Sequence, residues 1–214
     1  MSAPLQVYFM RHGETAWSLS GQHTGITDLP LTPHGQEMAR RLATTLKGIA
    51  FSAVLTSPRL RARSTCEGAG LGATAQTDPN LAEWNYGDYE GLRTSEIHER
   101  RPHWKVWEDG CPGGDSPEEI AGRADQLIAR LCKFGHEVGG NVALFSHGHF
   151  GRVLAARWIG LPVGEGQHFA LAPASVSILG FDAHHPQRRV IALWNATASG
   201  SVRAACRPVQ AVRV

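Results

Sequence analysis

The stretch Gln6-Val7-Tyr8-Phe9-Met10-Arg11-His12-Gly13 decides the fold class. Its first five residues are a short aromatic and β-branched run, which predicts a buried strand. The run stops abruptly at Arg11-His12-Gly13, so two polar side chains able to do chemistry leave the strand at its carboxyl end. A second run, Asn141 to Phe145, ends the same way at Ser146-His147-Gly148, and a third, Ala53 to Thr56, ends at Ser57-Pro58-Arg59.

Helical signals separate these strands. Thr32-Pro33 supplies an N-cap and a proline at the first helical position, followed by Met38, Leu42 and Leu46 at helical spacing and a terminating Gly48. Ser57-Pro58 is expected to cap a helix running to about Gly68, with Arg59 in its first turn. Ser116-Pro117-Glu118-Glu119 reads as a capping box opening a helix with Ile120, Ala124, Leu127 and Leu131 on one face. A further helix follows Gly148 to about Ile159, and strands at Ser175 to Phe181 and Val190 to Trp194 flank a turn. Strands alternating with helices predict a three-layer α/β/α sandwich with a mostly parallel sheet. In such sheets the ligand crevice lies outside the carboxyl ends of the strands.

The chain of 214 residues suits one domain, here residues 1–197, with a tail at 198–214. A segment of about 84–115 is different in character. It carries three of the six tryptophans, Trp84, Trp104 and Trp107, with Tyr86, Tyr89, Arg100 and Arg101, and reads as a small cap insertion over a site. Twenty-one Lys and Arg against 19 Asp and Glu leave a net charge of +2, with no basic run to mark a nucleic-acid or membrane surface. No apolar stretch approaches membrane-spanning length, no signal-peptide pattern opens the chain, and Cys66, Cys111, Cys132 and Cys206 form no Cys-x-x-Cys pair. These features predict a soluble protein of a reducing compartment, the cytoplasm. A homodimer through strand edges, Trp158 or Trp194 is left open, since either tryptophan could equally be core.

Chemistry narrows the reading further. Two histidines at strand ends, each followed by glycine, can be brought face to face. A neutral imidazole attacks phosphorus, and Arg11 and Arg59 offer forked donors to phosphoryl oxygens. Phosphoryl transfer needs positioning and charge neutralisation above all, which two arginines and a second histidine supply without a metal. Eleven histidines raise the rival of a metal hydrolase, but His147/His149 and His184/His185 are the tight pairs and neither has a third ligand at usual spacing. The reading therefore calls for no metal and no cofactor.

The local words around these residues resemble the histidine phosphatase superfamily, which includes phosphoglycerate mutases and fructose-2,6-bisphosphatases. Arg11-His12-Gly13-Glu14-Thr15 with Trp17 is similar to its signature, and the resemblance continues through Thr24 to Asp28, Thr56 to Ala62, Leu81-Ala82-Glu83 and Ser146-His147-Gly148. It implies a phosphoglycerate mutase-like fold, with His12 as the nucleophile and Arg11, Arg59 and His147 as the phosphoryl clamp. Glu83 is implied as the acid that protonates the leaving oxygen and then activates water. Ser18, His23, Thr24, Gly25, Tyr86, Arg101, Gly148 and His149 are implied as further substrate contacts, whereas Glu14 and Asp28 read as structural. Mutases carry Glu-Arg-His-Tyr-Gly where this chain has Glu83-Trp84-Asn85-Tyr86-Gly87, a departure that favours a phosphatase over a mutase. The words Gln22 to Leu31, Glu83 to Gly91 and Trp107 to Cys111 look like the sedoheptulose-1,7-bisphosphatase branch. That branch implies a small phosphorylated metabolite as the partner, a ketose bisphosphate cleaved at its 1-phosphate. A cap arginine, Arg100 or Arg101 ahead of Arg93, would hold the distal phosphate. A broad-specificity acid phosphatase, a phosphoglycerate mutase and a non-catalytic binding protein remain the alternatives.

Overall fold

Alternation along the first strand sets the two layers that flank the sheet. In β1 (Gln6–Arg11), Val7 and Phe9 point to one face and Tyr8 and Met10 to the other, as the two-residue period of a strand requires. A computed structural model of the protein describes residues 4–197. The expected tail at 198–214 therefore lies outside the described residues, as do residues 1–3 and Cys206.

Six strands form one sheet in the order β3-β2-β4-β1-β5-β6, with β2 at Phe51–Thr56, β3 at Ala75–Thr77, β4 at Asn141–Ser146, β5 at Val176–Phe181 and β6 at Arg189–Ala196. The pairs β1–β4, β2–β4 and β2–β3 are parallel, while β5 runs antiparallel to both β1 and β6. β3 was not expected, because three residues of Ala-Gln-Thr carry no apolar period and are held by pairing with β2 alone.

Helices cover both faces. Leu42 and Leu46 of α2 (Pro33–Leu46) and Cys66 of α3 (Leu60–Gly68) pack with Tyr8, Met10, Ala143 and Phe145. On the other face Ile120, Ala124, Leu127 and Leu131 of α6 (Pro117–Glu137) and Phe150, Val153, Leu154 and Trp158 of α7 (Gly148–Trp158) pack with Val7, Phe9, Val142 and Leu144. The expected caps are present: Thr32 accepts the Gly35 N–H, and Ser116 and Glu119 form a reciprocal box.

Two expectations change. α3 begins at Leu60, not at Pro58, with Arg59 extended just before it. Its first turn is capped from a distant loop, because Asp28 Oδ1 accepts the Leu60 N–H at 2.8 Å. Ser57 is diverted from capping, since its hydroxyl is buried against His147. Trp158 is core, its indole N–H reaching the Gly180 and Val190 carbonyls, and the Trp194 indole N–H donates to the Ala170 carbonyl at 2.6 Å.

The cap segment holds α4 (Thr94–Arg100) and α5 (Val106–Asp109), and with them Trp84, Tyr86, Tyr89, Trp104 and Trp107 join the same apolar core as α6 and α7. It is a wall of the domain rather than a loosely laid cover. In the amino-terminal half, α1 (Ala16–Ser20) is a single short turn capped by Thr15.

Candidate active site

β1, β4 and β2 are adjacent and parallel, so their carboxyl ends open on one edge of the sheet. The pairing continues one residue past each strand: His12 N–H donates to the Ser146 carbonyl and Ser57 N–H to the Phe145 carbonyl, both at 2.9 Å. Arg11, His12, Ser57 and His147 are thereby fixed at one place, although the segments that carry them are 45 or more positions apart in the chain.

The His12 and His147 rings are both buried and lie 5.2 Å apart between centroids in an edge arrangement. His12 Nδ1 lies 2.7 Å from the Gly13 carbonyl, which can only accept, so Nδ1 carries the proton and Nε2 keeps its lone pair. Burial, followed by the positive charge of Arg61 and Arg11, holds the His12 imidazole well below the ordinary histidine value. Its neutral, nucleophilic form is thus favoured. His147 is held low by burial first and then by Arg61, His12, Arg11 and Arg59.

Among the described residues, four buried side-chain nitrogens have no hydrogen-bond partner: Nε of Arg11, Arg59 and Arg61, and Nδ1 of His147. Buried donors are normally satisfied, and four such atoms, on His147 and on arginines within its electrostatic reach at the strand ends, make a cradle suited to an anion. Arg61 is the member that sequence reasoning missed. It is fully buried, with Nη2 donating to the carbonyls of Thr24 at 2.9 Å and Gly25 at 3.1 Å and Nη1 to that of Thr27 at 3.0 Å. Those bonds hold the guanidinium in place while Nε stays free. Arg59 is partly exposed and, as the residue before α3 rather than in its first turn, belongs to the cradle's edge.

Thr24 and Gly25 consequently act as Arg61's scaffold, and Glu90 holds that loop in turn by accepting the Gly25 and Thr27 N–H groups. The Ser18 hydroxyl is committed to Thr15 as the α1 cap, donating to its carbonyl at 2.9 Å. Glu14 accepts the Thr32 hydroxyl at 2.7 Å and Asp28 caps α3, so both are structural here.

Glu83 is buried at the amino-terminal end of α7. Oε1 accepts the N–H groups of Phe150 at 2.7 Å and Trp84 at 3.0 Å, and Oε2 accepts that of His149 at 3.0 Å. The single bond on Oε2 leaves that oxygen a position for a transferred proton. The backbone that carries Glu83 is clasped by Arg123, which donates to the carbonyls of Ala82 and Glu83 and pairs with Asp115 at 2.8 Å.

The wall beside the cradle is aromatic and neutral. Tyr86 OH lies 2.8 Å from His149 Nδ1, and the His23 ring stacks 4.7 Å from Tyr86 and 5.6 Å from Trp104. Burial lowers His23 to about 4, and burial with nearby Arg152 holds His149 low. Gly148, the first residue of α7, passes beside the Arg11 guanidinium, where an added Cβ would lie 3.4 Å from it.

Arg101 is held elsewhere on the cap, its contacts being Tyr89 OH and Asp109 at 3.4 Å each. Arg100 is exposed, and Arg93 donates to the Ser20 carbonyl at 3.0 Å. Arg152 of α7 stands nearer: it lies over the Trp107 ring at 4.7 Å and feels the charges of Glu83 and Arg11. Its Nε and Nη2 donate to the carbonyls of Gly166 and Gln167, and among the described residues it forms no ion pair. One helical turn from His149, it gave no sequence signal beyond being one of 18 arginines.

A parallel-sheet sandwich with paired histidines, arginines and a carboxylate at its strand ends is the architecture of a phosphate-ester hydrolase, and the family comparison agrees. Residues 7–197 match the model of the histidine phosphatase superfamily (branch 1), and the chain belongs to that family. It is 41% identical over 190 residues to an acid phosphatase of Mycobacterium tuberculosis, covering 88% of this chain and 92% of that one. It is 38% identical over 182 residues to sedoheptulose 1,7-bisphosphatase of Saccharomyces cerevisiae, covering 72% of this chain and 67% of that one. A solved structure of an open reading frame product from Mycobacterium tuberculosis superposes with a TM-score of 0.83 at 39% identity, covering 90% of this chain and 98% of that one. The protein is a phosphatase of this superfamily, hydrolysing phosphate esters. Among the described residues no helix is long and apolar enough to cross a membrane.

Proposed function

We propose that this enzyme is a metal-independent phosphomonoesterase that works through a phosphohistidine on His12 and takes a small sugar bisphosphate such as sedoheptulose 1,7-bisphosphate. The observation that carries the proposal is the set of four unpartnered buried nitrogens, from three arginines and His147, around an imidazole whose Nε2 is free. In the first half-reaction the Nε2 lone pair bonds to phosphorus as the phosphorus–ester oxygen bond breaks. The proton of the Glu83 carboxylic acid goes to the departing oxygen. In the second, water attacks phosphorus, Glu83 takes its proton, and the phosphorus–nitrogen bond breaks to release inorganic phosphate. Arg11, Arg59, Arg61 and His147 neutralise charge on the non-bridging oxygens throughout.

Support for a second anionic group comes from Arg152, a cation near the cradle with no carboxylate partner among the described residues. The yeast relative named sedoheptulose 1,7-bisphosphatase supports the same choice, while the mycobacterial relative named acid phosphatase favours the broader-specificity alternative. The mutase alternative fits less well, because Trp84 and Asn85 replace the Arg-His word of mutases, and buried Trp84 packs against Trp107 instead.

The test has two parts. His12→Ala abolishes phosphate release and radiolabel transfer to the protein, and activity survives EDTA. Retained release by His12→Ala overturns the mechanism. Comparison of kcat/KM on sedoheptulose 1,7-bisphosphate, fructose 1,6-bisphosphate and 3-phosphoglycerate then decides the substrate. Equal, low values leave a generic phosphatase.

A further inference from the structure

Ser57 stands at the end of β2, fully buried, beside the phosphoryl cradle rather than within it. Its hydroxyl lies 2.7 Å from His147 Nε2 and accepts the Arg59 N–H at 3.3 Å. A serine hydroxyl has one proton to donate and two lone pairs to accept with. The Arg59 amide occupies one lone pair, and His147 is the one acceptor within reach of the proton among the hydrogen bonds this side chain makes. When the Ser57 proton goes to Nε2, the neutral His147 ring must carry its own proton on Nδ1. Nδ1 is the buried ring nitrogen without a partner, on a ring 5.2 Å from that of His12 and within electrostatic reach of Arg61, Arg11 and Arg59.

The opposite tautomer fails on physical grounds. A proton on Nε2 would point at Ser57 and leave a bare lone pair on Nδ1, turned toward the oxygens of an anion. That arrangement repels the substrate where the neighbouring nitrogens attract it.

We infer that Ser57 is a positioning residue whose hydroxyl holds His147 in the Nδ1–H tautomer, so that a neutral histidine donates a hydrogen bond to a non-bridging phosphoryl oxygen. The inference rests on the phosphoryl-transfer reading above. It gives Ser57 a part distinct from nucleophile or base, because its proton is directed at the imidazole rather than at substrate. It also explains why a residue placed to cap α3 leaves that helix to Asp28.

Long-range nitrogen–proton NMR correlation of the histidine rings in the resting full-length protein tests the tautomer directly. The expected result is an Nδ1–H, neutral His147. Ser57→Ala is expected to release that preference and to lower both kcat/KM and vanadate affinity about 10- to 100-fold, the range seen when the partner orienting a metal-bound histidine is removed. Ser57→Thr, which keeps the hydroxyl, is expected to retain the Nδ1–H tautomer. An Nε2–H tautomer in the unaltered protein overturns the inference even where a variant misfolds. So does a Ser57→Ala protein with unchanged tautomer and kcat/KM. Phosphate release by His12→Ala, by contrast, defeats the catalytic reading and leaves the tautomer measurement standing.

Discussion

The Glu83 carboxylate accepts the backbone N–H of Phe150 at 2.7 Å, and through this bond a loop residue serves as the missing cap of α7. His147, the residue before that helix, makes no side-chain cap bond of its own. Anions are favoured at a helix amino terminus, so the helix both fixes Glu83 and is completed by it.

Glu83→Gln removes the proton carrier and sets an amide NH2 against an N–H donor. Turnover is expected to fall about 10²- to 10⁴-fold, the usual worth of a positioned acid–base group. With p-nitrophenyl phosphate, whose leaving group needs no protonation, one equivalent of nitrophenol should appear in a burst before slow turnover. A proportional slowing of burst and turnover would count against this role.

The two arginines of the α3 entrance should not be equivalent. Lysine cannot reproduce the Arg61 fork that spans the carbonyls of Thr24, Gly25 and Thr27. Arg61→Lys is expected to lower kcat/KM about 10²- to 10³-fold, as loss of a fixed charge-stabilising donor does. Arg59→Lys, at the cradle's edge, should lose about tenfold or less on the same basis. Equal losses would contradict the geometry.

Acid should weaken the fold through the histidines before it silences the nucleophile. Burial lowers His12, His147 and His149, and sets His23 at about 4. An unfolded histidine titrates near 6.5, so between these values the unfolded chain binds more protons than the folded one. The histidine contribution is whole above about pH 6.5 and is lost as pH falls through the folded values. Thermal melts from pH 7 to 4.5 should show Tm falling, and added vanadate should raise it at each pH. In an NMR titration the His12 ring should stay neutral well below 6.5. A Tm unchanged between pH 7 and 5 is the contrary result.

Gly35 lets α2 press against the nucleophile loop. A Cβ there would stand 2.2 Å from the Glu14 carbonyl oxygen and 2.8 Å from its nitrogen, both backbone atoms that cannot rotate away. Gly35→Ala gains about 1 kcal/mol of helix propensity. Overpacking of about 1–3 kcal/mol should outweigh it. Denaturant melts should show net destabilisation, with reduced kcat because Gly13, beside His12, abuts the same glycine.

Much of the fold was legible because its signals are short-range. The aromatic and β-branched run of Gln6 to Met10, the Thr32-Pro33 cap and the Ser116–Glu119 box act within a few residues, and each forms as read. β3 is not legible because the three residues Ala-Gln-Thr become a strand only beside β2. The same reasoning explains the arginines. Arg59 and Arg61 are two positions apart, and nothing local says which is buried. That is decided where the 24–27 loop offers carbonyls to Arg61 and Asp28 starts the helix after Arg59. Arg101 is expected to hold a distal phosphate, yet its guanidinium meets Tyr89 and Asp109, while Arg152 lies within electrostatic reach of Glu83 and Arg11.

The sequence by itself therefore determined the layered sandwich, the strand ends that carry His12 and His147, and the class of chemistry, because periodicity, capping and strand termination are local. Only the tertiary structure decided which arginine completes the cradle, what holds Glu83, and why Ser57 faces a histidine instead of a helix. Those choices depend on hydrogen bonds between segments dozens of residues apart, whose donors and acceptors meet only after the sheet has assembled.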